Sequence, residues 1–214
     1  MTLTEELTQK RENSSKVIPQ DKYAVMQQST KQLLDAKISE NAIQKGDTLP
    51  DFELPDENNN TVTLDQTLQG EYLIISFYRG GWCPYCNMEL RALQQFSSEF
   101  KNLGADLVAI SPETPDNSLT TSEKNELQFK VLSDIDNQYA KTLNLAFQMP
   151  ENLREVYHSF GLHVDQHNGN TNYELPMPAT YVIDKNKTVI YDFVPEDYTQ
   201  RLDPKEIVEF LKNR

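Results

Sequence analysis

The sequence predicts an α/β fold: a central mixed β-sheet flanked by helices, with an N-terminal helical extension. Three observations carry this. The run Tyr72-Leu-Ile-Ile-Ser-Phe-Tyr78 has strand length and is apolar enough for burial on both faces. Strand and helix patterns then alternate through the middle of the chain, which implies parallel pairing through right-handed crossovers. Two late strand patterns, Ala179–Asp184 and Thr188–Phe193, are joined by Lys185-Asn186-Lys187 and imply an antiparallel hairpin at one edge.

Residues 1–45 hold no glycine and one proline, Pro19. Leu3/Leu7, then Val25/Met26 and Leu33/Leu34, recur at helical spacing and predict helices over about 3–16 and 20–38. Their apolar faces are thin, so they must dock on the main domain or on a second chain. The plainer reading is a helical cover, and the alternative is a dimerisation arm. Gly46-Asp-Thr-Leu-Pro50 marks a boundary, dividing the chain into an extension, 1–45, and a main domain, 46–214. Asp56–Asn60 is a turn cluster before a short strand, Thr61–Leu64, so a hairpin with Asn58–Asn60 at its tip is expected. Asp65 is placed to cap one helical turn before Gly70. After Tyr78 a helix spans about 84–102, opened by Pro84, a residue well suited to a first helical position. Asp106–Ser111 reads as a second buried strand, 112–126 as loop and short helix, and Lys130–Asp134 as a short strand. Residues 135–144 and 150–160 look helical, and His163–Glu174 is a polar loop or small hairpin. Asp203-Pro204 opens a C-terminal helix with Ile207, Val208, Phe210 and Leu211 on its apolar side.

Composition narrows the function. The net charge is −13 and no basic stripe is visible, which argues against nucleic-acid binding. No apolar run approaches the roughly 18 residues of a membrane span. Met1–Glu6 shows no basic stretch followed by an apolar one, so a reducing cytoplasm is the expected setting. Two cysteines do not make a disulfide scaffold. A close pair in a reducing compartment points to catalysis or metal binding.

Those cysteines sit in Arg79-Gly80-Gly81-Trp82-Cys83-Pro84-Tyr85-Cys86, where the strand feeds the helix. The first turn of a helix offers unpaired N–H groups and the positive end of its dipole, which favour a thiolate. Two cysteines one helical turn apart can also close a disulfide with little backbone movement, so the pair reads as a two-electron switch. A zinc reading would need two further ligands. His158, His163 and His167 read as loop residues, and no metal or cofactor is expected.

Trp82-Cys-Pro-Tyr-Cys86 after a hydrophobic strand, with Met177-Pro178-Ala-Thr-Tyr-Val-Ile-Asp184 later, resembles the thioredoxin fold. That resemblance implies a cis peptide before Pro178, facing the cysteine pair. Gly46–Leu54 and Phe77–Glu89 resemble the alkyl hydroperoxide reductase and thiol-specific antioxidant branch of the peroxiredoxins. The likeness covers about 46–214. It implies an antioxidant thiol peroxidase that reduces hydrogen peroxide or organic hydroperoxides and is regenerated by a thioredoxin-type or other dithiol reductant. In the family register Arg79 stands where a proline is usual and Cys83 where a threonine is. The attacking cysteine falls on Cys86, and Glu89 matches the glutamate three residues beyond. The family's later arginine would fall near Pro178 and is absent there. Arg79 is the alternative source of charge.

The two resemblances assign the cysteines differently. The thioredoxin match makes Cys83 the attacking sulfur, and the peroxiredoxin match makes it Cys86. Leu90, Leu93, Phe100 and Leu103 share a helical face with Cys86, which turns Cys86 toward the core and leaves Cys83 nearer solvent. On the peroxiredoxin register, Cys86→Ser abolishes peroxide turnover while Cys83→Ser keeps sulfenic acid formation. Around the pair, Gly80 and Gly81 are either a plain turn or an open approach to sulfur. Trp82 is packing or a lid, and Tyr85 is a partner contact or an exposed aromatic. Glu89 is a family glutamate or only a helix-dipole charge. The competing functions are a thiol–disulfide oxidoreductase acting on proteins, favoured by the complete Cys-x-x-Cys and the absent arginine, and a redox-sensing binding module. A homodimer through a free sheet edge is compatible with all three.

Overall fold

The computed structural model describes all 214 residues. Two helices lead, α1 (Leu3–Val17) and α2 (Gln20–Ala36), followed by a 3-10 turn at Ile38–Asn41. A hairpin of β1 (Glu53–Pro55) and β2 (Thr61–Thr63) runs into α3 (Leu64–Thr67). Then come β3 (Tyr72–Phe77), α4 (Pro84–Asn102), β4 (Ala105–Ser111), α5 (Pro115–Lys124) and β5 (Lys130–Ser133). The chain continues through α6 (Gln138–Thr142), β6 (Ala146–Gln148), α7 (Glu151–Ser159), α8 (Val164–Asn168) and β7 (Glu174–Pro176). It ends with β8 (Ala179–Asp184), β9 (Val189–Phe193) and α9 (Pro204–Lys212).

Five strands make the central sheet in the order β5-β4-β3-β8-β9. β3, β4 and β5 are parallel, as crossovers through α4 and α5 require. β8 pairs antiparallel with β3 and with β9, giving the expected mixed sheet. The period-2 alternation of β3 divides its side chains between two cores. Leu73, Ile75 and Phe77 pack beneath the β1–β2 hairpin and α6, whereas Ile74 faces Leu93 and Phe100 of α4 and Ile207 and Val208 of α9. Each buried aliphatic side chain contributes about 1.5–3 kcal/mol. Burial on both faces is what holds β3 at the sheet centre, with its C-terminal end at the cysteine loop.

Three local expectations change. Thr63, not Asp65, caps α3: its hydroxyl accepts the Gln66 N–H at 3.3 Å, and Gln66 answers to the Thr63 N–H at 2.9 Å. That reciprocal box satisfies two free donors, so it wins over a lone aspartate one residue inside the helix. The polar stretch 163–174 contains α8, and β7 at its end pairs with β6, a match between distant short segments that local pattern does not encode. The chain has no cis peptide, so Met177–Pro178 is trans.

The N-terminal helices dock on the chain's own body. Leu3 and Leu7 are 5% and 3% exposed, in one cluster with Tyr85, Cys86 and Leu90. α2 lies against α7, where Lys22 Nζ donates to Ser159 Oγ at 2.7 Å. Removing a buried leucine side chain costs about 2–5 kcal/mol. Leu7→Ala is therefore expected to raise amide exchange across α1 while β3 stays protected. Unchanged α1 exchange would show that this contact does not hold the helix.

Candidate active site

The loop between β3 and α4 is built from glycine conformation and side-chain overlap. Gly80 has φ +149, a region that favours glycine, and the Trp82 indole covers it so closely that a β-carbon would lie 2.2 Å from Trp82 Nε1. A β-carbon on Gly81 would meet Thr121 Oγ1 at 1.9 Å. The two glycines thus admit protein neighbours rather than an approaching substrate. Gly81 N–H donates to Glu113 Oε2 at 2.9 Å, and Asn87 Nδ2 donates to Gly81 O at 2.7 Å and Cys83 O at 3.1 Å. Asn125 Nδ2 holds Asn87 Oδ1 at 2.8 Å, and Arg91 Nη1 holds Asn125 Oδ1 at 3.0 Å. Glu113, Asn87 and Asn125 are buried, so each lost partner would leave an unsatisfied polar group costing about 1–3 kcal/mol.

This frame delivers Cys83 as the residue capping α4, with Pro84 first in the helix and Cys86 in its first turn. Both cysteines are free thiols, 1% and 0% exposed. Cys86 turns inward as its helical face predicts. Cys83 is also covered, but it lines a cleft of about 700 Å³ that Cys86 does not reach.

Two buried guanidinium groups address the sulfurs. Arg79 is caged by aromatic rings: its guanidinium carbon lies 4.3 Å from the Tyr198 ring centroid, 4.9 Å from Trp82 and 5.8 Å from Tyr157. Its Nη2 donates to Tyr157 Oη at 2.5 Å. Arg201 comes from the loop between β9 and α9. Its Nη2 donates to Cys86 Sγ at 3.2 Å, its Nε to Glu89 Oε2 at 2.6 Å, and its Nη1 to the carbonyls of Gln200, at 2.7 Å, and Tyr198. Position 178 holds no arginine, and Arg201 brings a guanidinium to Cys86 Sγ from a different place in the chain.

The charges follow. Burial opposes a thiolate at Cys83. A hydrogen bond from the Cys86 thiol, then the Arg79 and Arg201 charges, more than offset it and pull the Cys83 thiol down to about 5. Burial and the neighbouring Cys83 charge push Cys86 up, against the pull of both arginines. Of the two, the sulfur facing the cleft is the one whose surroundings favour the thiolate. Burial, helped by the Cys86 sulfur, raises Glu89 to about 7 against the opposing pull of Arg201.

The remaining candidates fall into place around this centre. Trp82 is half buried, 5.7 Å from Tyr157 in an edge-on contact, and lines the cleft. Tyr85 is 5% exposed against α1 and stands edge-on to Tyr198 at 5.6 Å, so it is neither an exposed aromatic nor a partner surface. Glu89 is a buried ion-pair partner, not a surface charge at the helix dipole. Pro178 precedes β8 as expected and is buried. It borders a small cavity of about 20 Å³ beside Arg79, Tyr157 and Tyr198, behind the arginine cage. Two of the three histidines meet, His158 and His163, with ring centroids 5.0 Å apart and Asp165 3.6 Å from His158 Nε2. Sequence reasoning missed Arg201, Tyr157, Tyr198, Glu113, Asn87 and Asn125. Only Asn87, one residue past Cys86, carried a signal, since an asparagine in a helix's first turn is free to bond nearby carbonyls.

The model of the AhpC/TSA family matches residues 45–192. Peroxiredoxin Bcp of Escherichia coli K12 is 34% identical over 98 residues, covering 46% of this chain and 62% of its own length. The chain thus spans less than two thirds of that relative. Chloroplastic peroxiredoxin Q of Gentiana triflora is 29% identical over 175 residues, 80% of this chain and 68% of that protein. The crystal structure of peroxidoxin BcpB from Mycobacterium tuberculosis superposes with a TM-score of 0.63 at 20% identity, covering 80% of this chain and 97% of the other. Reduced 2-Cys peroxiredoxin of Plasmodium vivax gives 0.60 at 19% identity, over 79% and 81% of the two chains. At such identities the superpositions speak for the fold, which is thioredoxin-like. The family match covers more than half of the chain and holds both cysteines, Arg79 and Glu89. The chain belongs to the AhpC/TSA family.

Proposed function

We propose that this chain is a peroxiredoxin-like thiol peroxidase, with residues 1–45 as an extension of the peroxidase domain 46–214. It reduces hydrogen peroxide or organic hydroperoxides through Cys83 and Cys86, and an external thiol reductant, of thioredoxin type on the family reading, restores the pair. The observation that carries this is the charge arrangement. A buried sulfur at a helix N-terminus is held as a thiolate by a caged arginine, and a second thiol lies beside it under a second arginine.

The Cys83 thiolate attacks the terminal peroxide oxygen. The O–O bond breaks, and alcohol or water leaves with a proton. Sulfur becomes a sulfenic acid. Arg79 faces the charge that develops on the peroxide oxygens and needs no reorganisation to do so. Cys86 then attacks the Cys83 sulfur, its thiol proton leaves with the hydroxyl as water, and a disulfide forms. Arg201, already on Cys86 Sγ, favours the thiolate needed for that second step. The peroxiredoxin register gives the first attack to Cys86, but exposure to the cleft and the direction of the thiol shifts support Cys83. The covered sulfurs speak against a reductase of large protein disulfides. A reducing, cytoplasmic setting suits the cycle.

Stopped-flow fluorescence of Trp82 tests the reading. With stoichiometric peroxide, Cys83→Ser should show no rapid phase, and Cys86→Ser should form a stable sulfenic acid in one step while losing turnover. The reverse pattern would move the attacking role to Cys86, and no rapid phase in the unsubstituted protein would exclude a peroxidase. A second test uses pH. Because the Cys83 pKa is lowered, its thiolate is present above the midpoint and lost below it, so alkylation should rise through pH about 5 and level off by neutrality. Arg79→Leu should move that midpoint upward by about a unit or more.

A further inference from the structure

We propose that the bend between α7 and α8 is a binding site for a divalent transition-metal ion of zinc type, held by His158, His163 and Asp165. The site is separate from the sulfur chemistry and does not rest on it.

Placement is the first argument. His158 lies in the last turn of α7, His163 caps α8, and Asp165 stands in the first turn of α8. Four residues separate the two histidines, within the roughly three to five found between paired histidine ligands of zinc sites. Position in the sequence reads them as loop residues, because nothing in it shows that the three side chains converge. The folded bend brings them together and is fixed by its own backbone. Leu162 N–H donates to Tyr157 O at 3.0 Å, Gly161 N–H donates to His158 O at 2.9 Å, and His163 O accepts the N–H groups of Gln166 and His167 at 3.1 and 3.2 Å. Gly161 has φ +73, the left-handed region that favours glycine. Val164 is buried in one cluster with Val156 and Tyr157 and anchors the far side of the bend. The three side chains thus stand on a preorganised frame.

The ligand atoms are the second argument. One donor atom from each of the three residues lies within 4.8 Å of the other two. His158 Nε2 and Asp165 Oδ1 are 3.6 Å apart. That is too long for a direct hydrogen bond. It suits two ligands of one ion, since donors about 2.0–2.2 Å from a tetrahedral centre stand roughly 3.3–3.6 Å from each other. The His163 ring lies beside the His158 ring, with centroids 5.0 Å apart, and a small side-chain rotation completes the set. Asp165 Oδ1 is closed to solvent and accepts no hydrogen bond, which leaves a shielded acceptor in need of a partner. No lysine or arginine pairs with Asp165, and His158 is its only ion-pair neighbour. His158 is exposed, so an ion can enter and keep water as its fourth ligand.

The donor set selects the ion. Two imidazoles and one carboxylate suit zinc and its transition-metal neighbours, whereas magnesium and calcium call for oxygen ligands. Phe160 and Leu162 of the same bend line the cleft at Cys83, so a bound ion would tie α7 to α8 across that wall.

The test is a Zn²⁺ titration of full-length Cys83→Ser/Cys86→Ser protein, whose thiols cannot compete for the ion, against a chromophoric chelator. One equivalent should bind, and excess Mg²⁺ should not displace it. In that background His163→Ala and Asp165→Asn should each weaken binding by at least about tenfold, the smallest loss typical when even an outer partner of a metal site is removed. Zn²⁺ should slow amide exchange across residues 157–166 and leave β3 unchanged. Asp165→Asn keeps the size of the side chain, and undiminished protection of β3 shows that the variant is folded. No saturable Zn²⁺ binding, binding that both substitutions leave unchanged, or slowed exchange confined to another part of the chain would overturn the proposal.

Discussion

The structure depends on holding negative charge on a buried sulfur. An uncompensated buried charge costs several kcal/mol, and a buried thiol ordinarily keeps its proton. Here the compensation is two guanidinium groups that are themselves almost fully buried, at 2% and 5% exposure. Neither is free to move away. Arg79 is fixed by three rings and a phenol oxygen, and Arg201 by a carboxylate, two carbonyls and a sulfur. Arginine suits both places because its charge is permanent and weakly hydrated and its planar fork both stacks and donates. Such a cluster is poor evidence of stability, since replacing buried ions with apolar groups is often neutral or favourable. What the cluster does here is favour the thiolate on one buried sulfur.

The rest of the fold fixes these charges in register. β3 is pinned by burial on both faces and delivers Arg79 and the two glycines at its end. α4 places Cys83 at its cap and Glu89 two turns deep. The buried frame of Glu113, Asn87 and Asn125 holds the loop between them, so the geometry does not rely on the loop's own preferences. Arg201 lies outside the span matched by the family, as do α1 and α2. The shared core therefore supplies the sulfurs and Arg79. The flanks supply the second charge and the walls of the cleft.

Local chemistry made much of this legible from sequence. β3, α4 and the β8–β9 hairpin follow from apolar run length, proline at a helix start and a short turn. The cysteine pair follows from its place at a strand-to-helix junction. What stayed hidden is what distance in the chain conceals. Arg201 and Tyr198 sit in a loop more than a hundred residues from the cysteines, and nothing in Tyr198-Thr-Gln-Arg201 marks them as site residues. Tyr157 is one aromatic on an amphipathic helix and is indistinguishable by pattern from a packing residue. Gly80 and Gly81 were visible as special, but their reason was not. They make room for Trp82 and Thr121, and overlap of that kind exists only once the fold has formed. The small β6–β7 sheet is hidden for the same reason, since three-residue strands carry too little pattern to announce a partner.

Protonation links the two halves of the site in opposite senses. Cys83 has a lowered folded pKa, so its contribution to stability is present above the ordinary thiol value and is lost as pH falls through about 5. Glu89 has a raised one, so its contribution is present below the ordinary carboxylate value and is lost as pH rises through about 7. Between these limits Cys83 is ionised and Glu89 is protonated. Arg79 and Arg201 then face a single negative sulfur, and the cluster keeps one positive charge in excess. Above about 7 Glu89 ionises and neutralises Arg201 from behind. The carboxylate thus tempers the second arginine at a pH where the Cys83 thiolate itself no longer titrates.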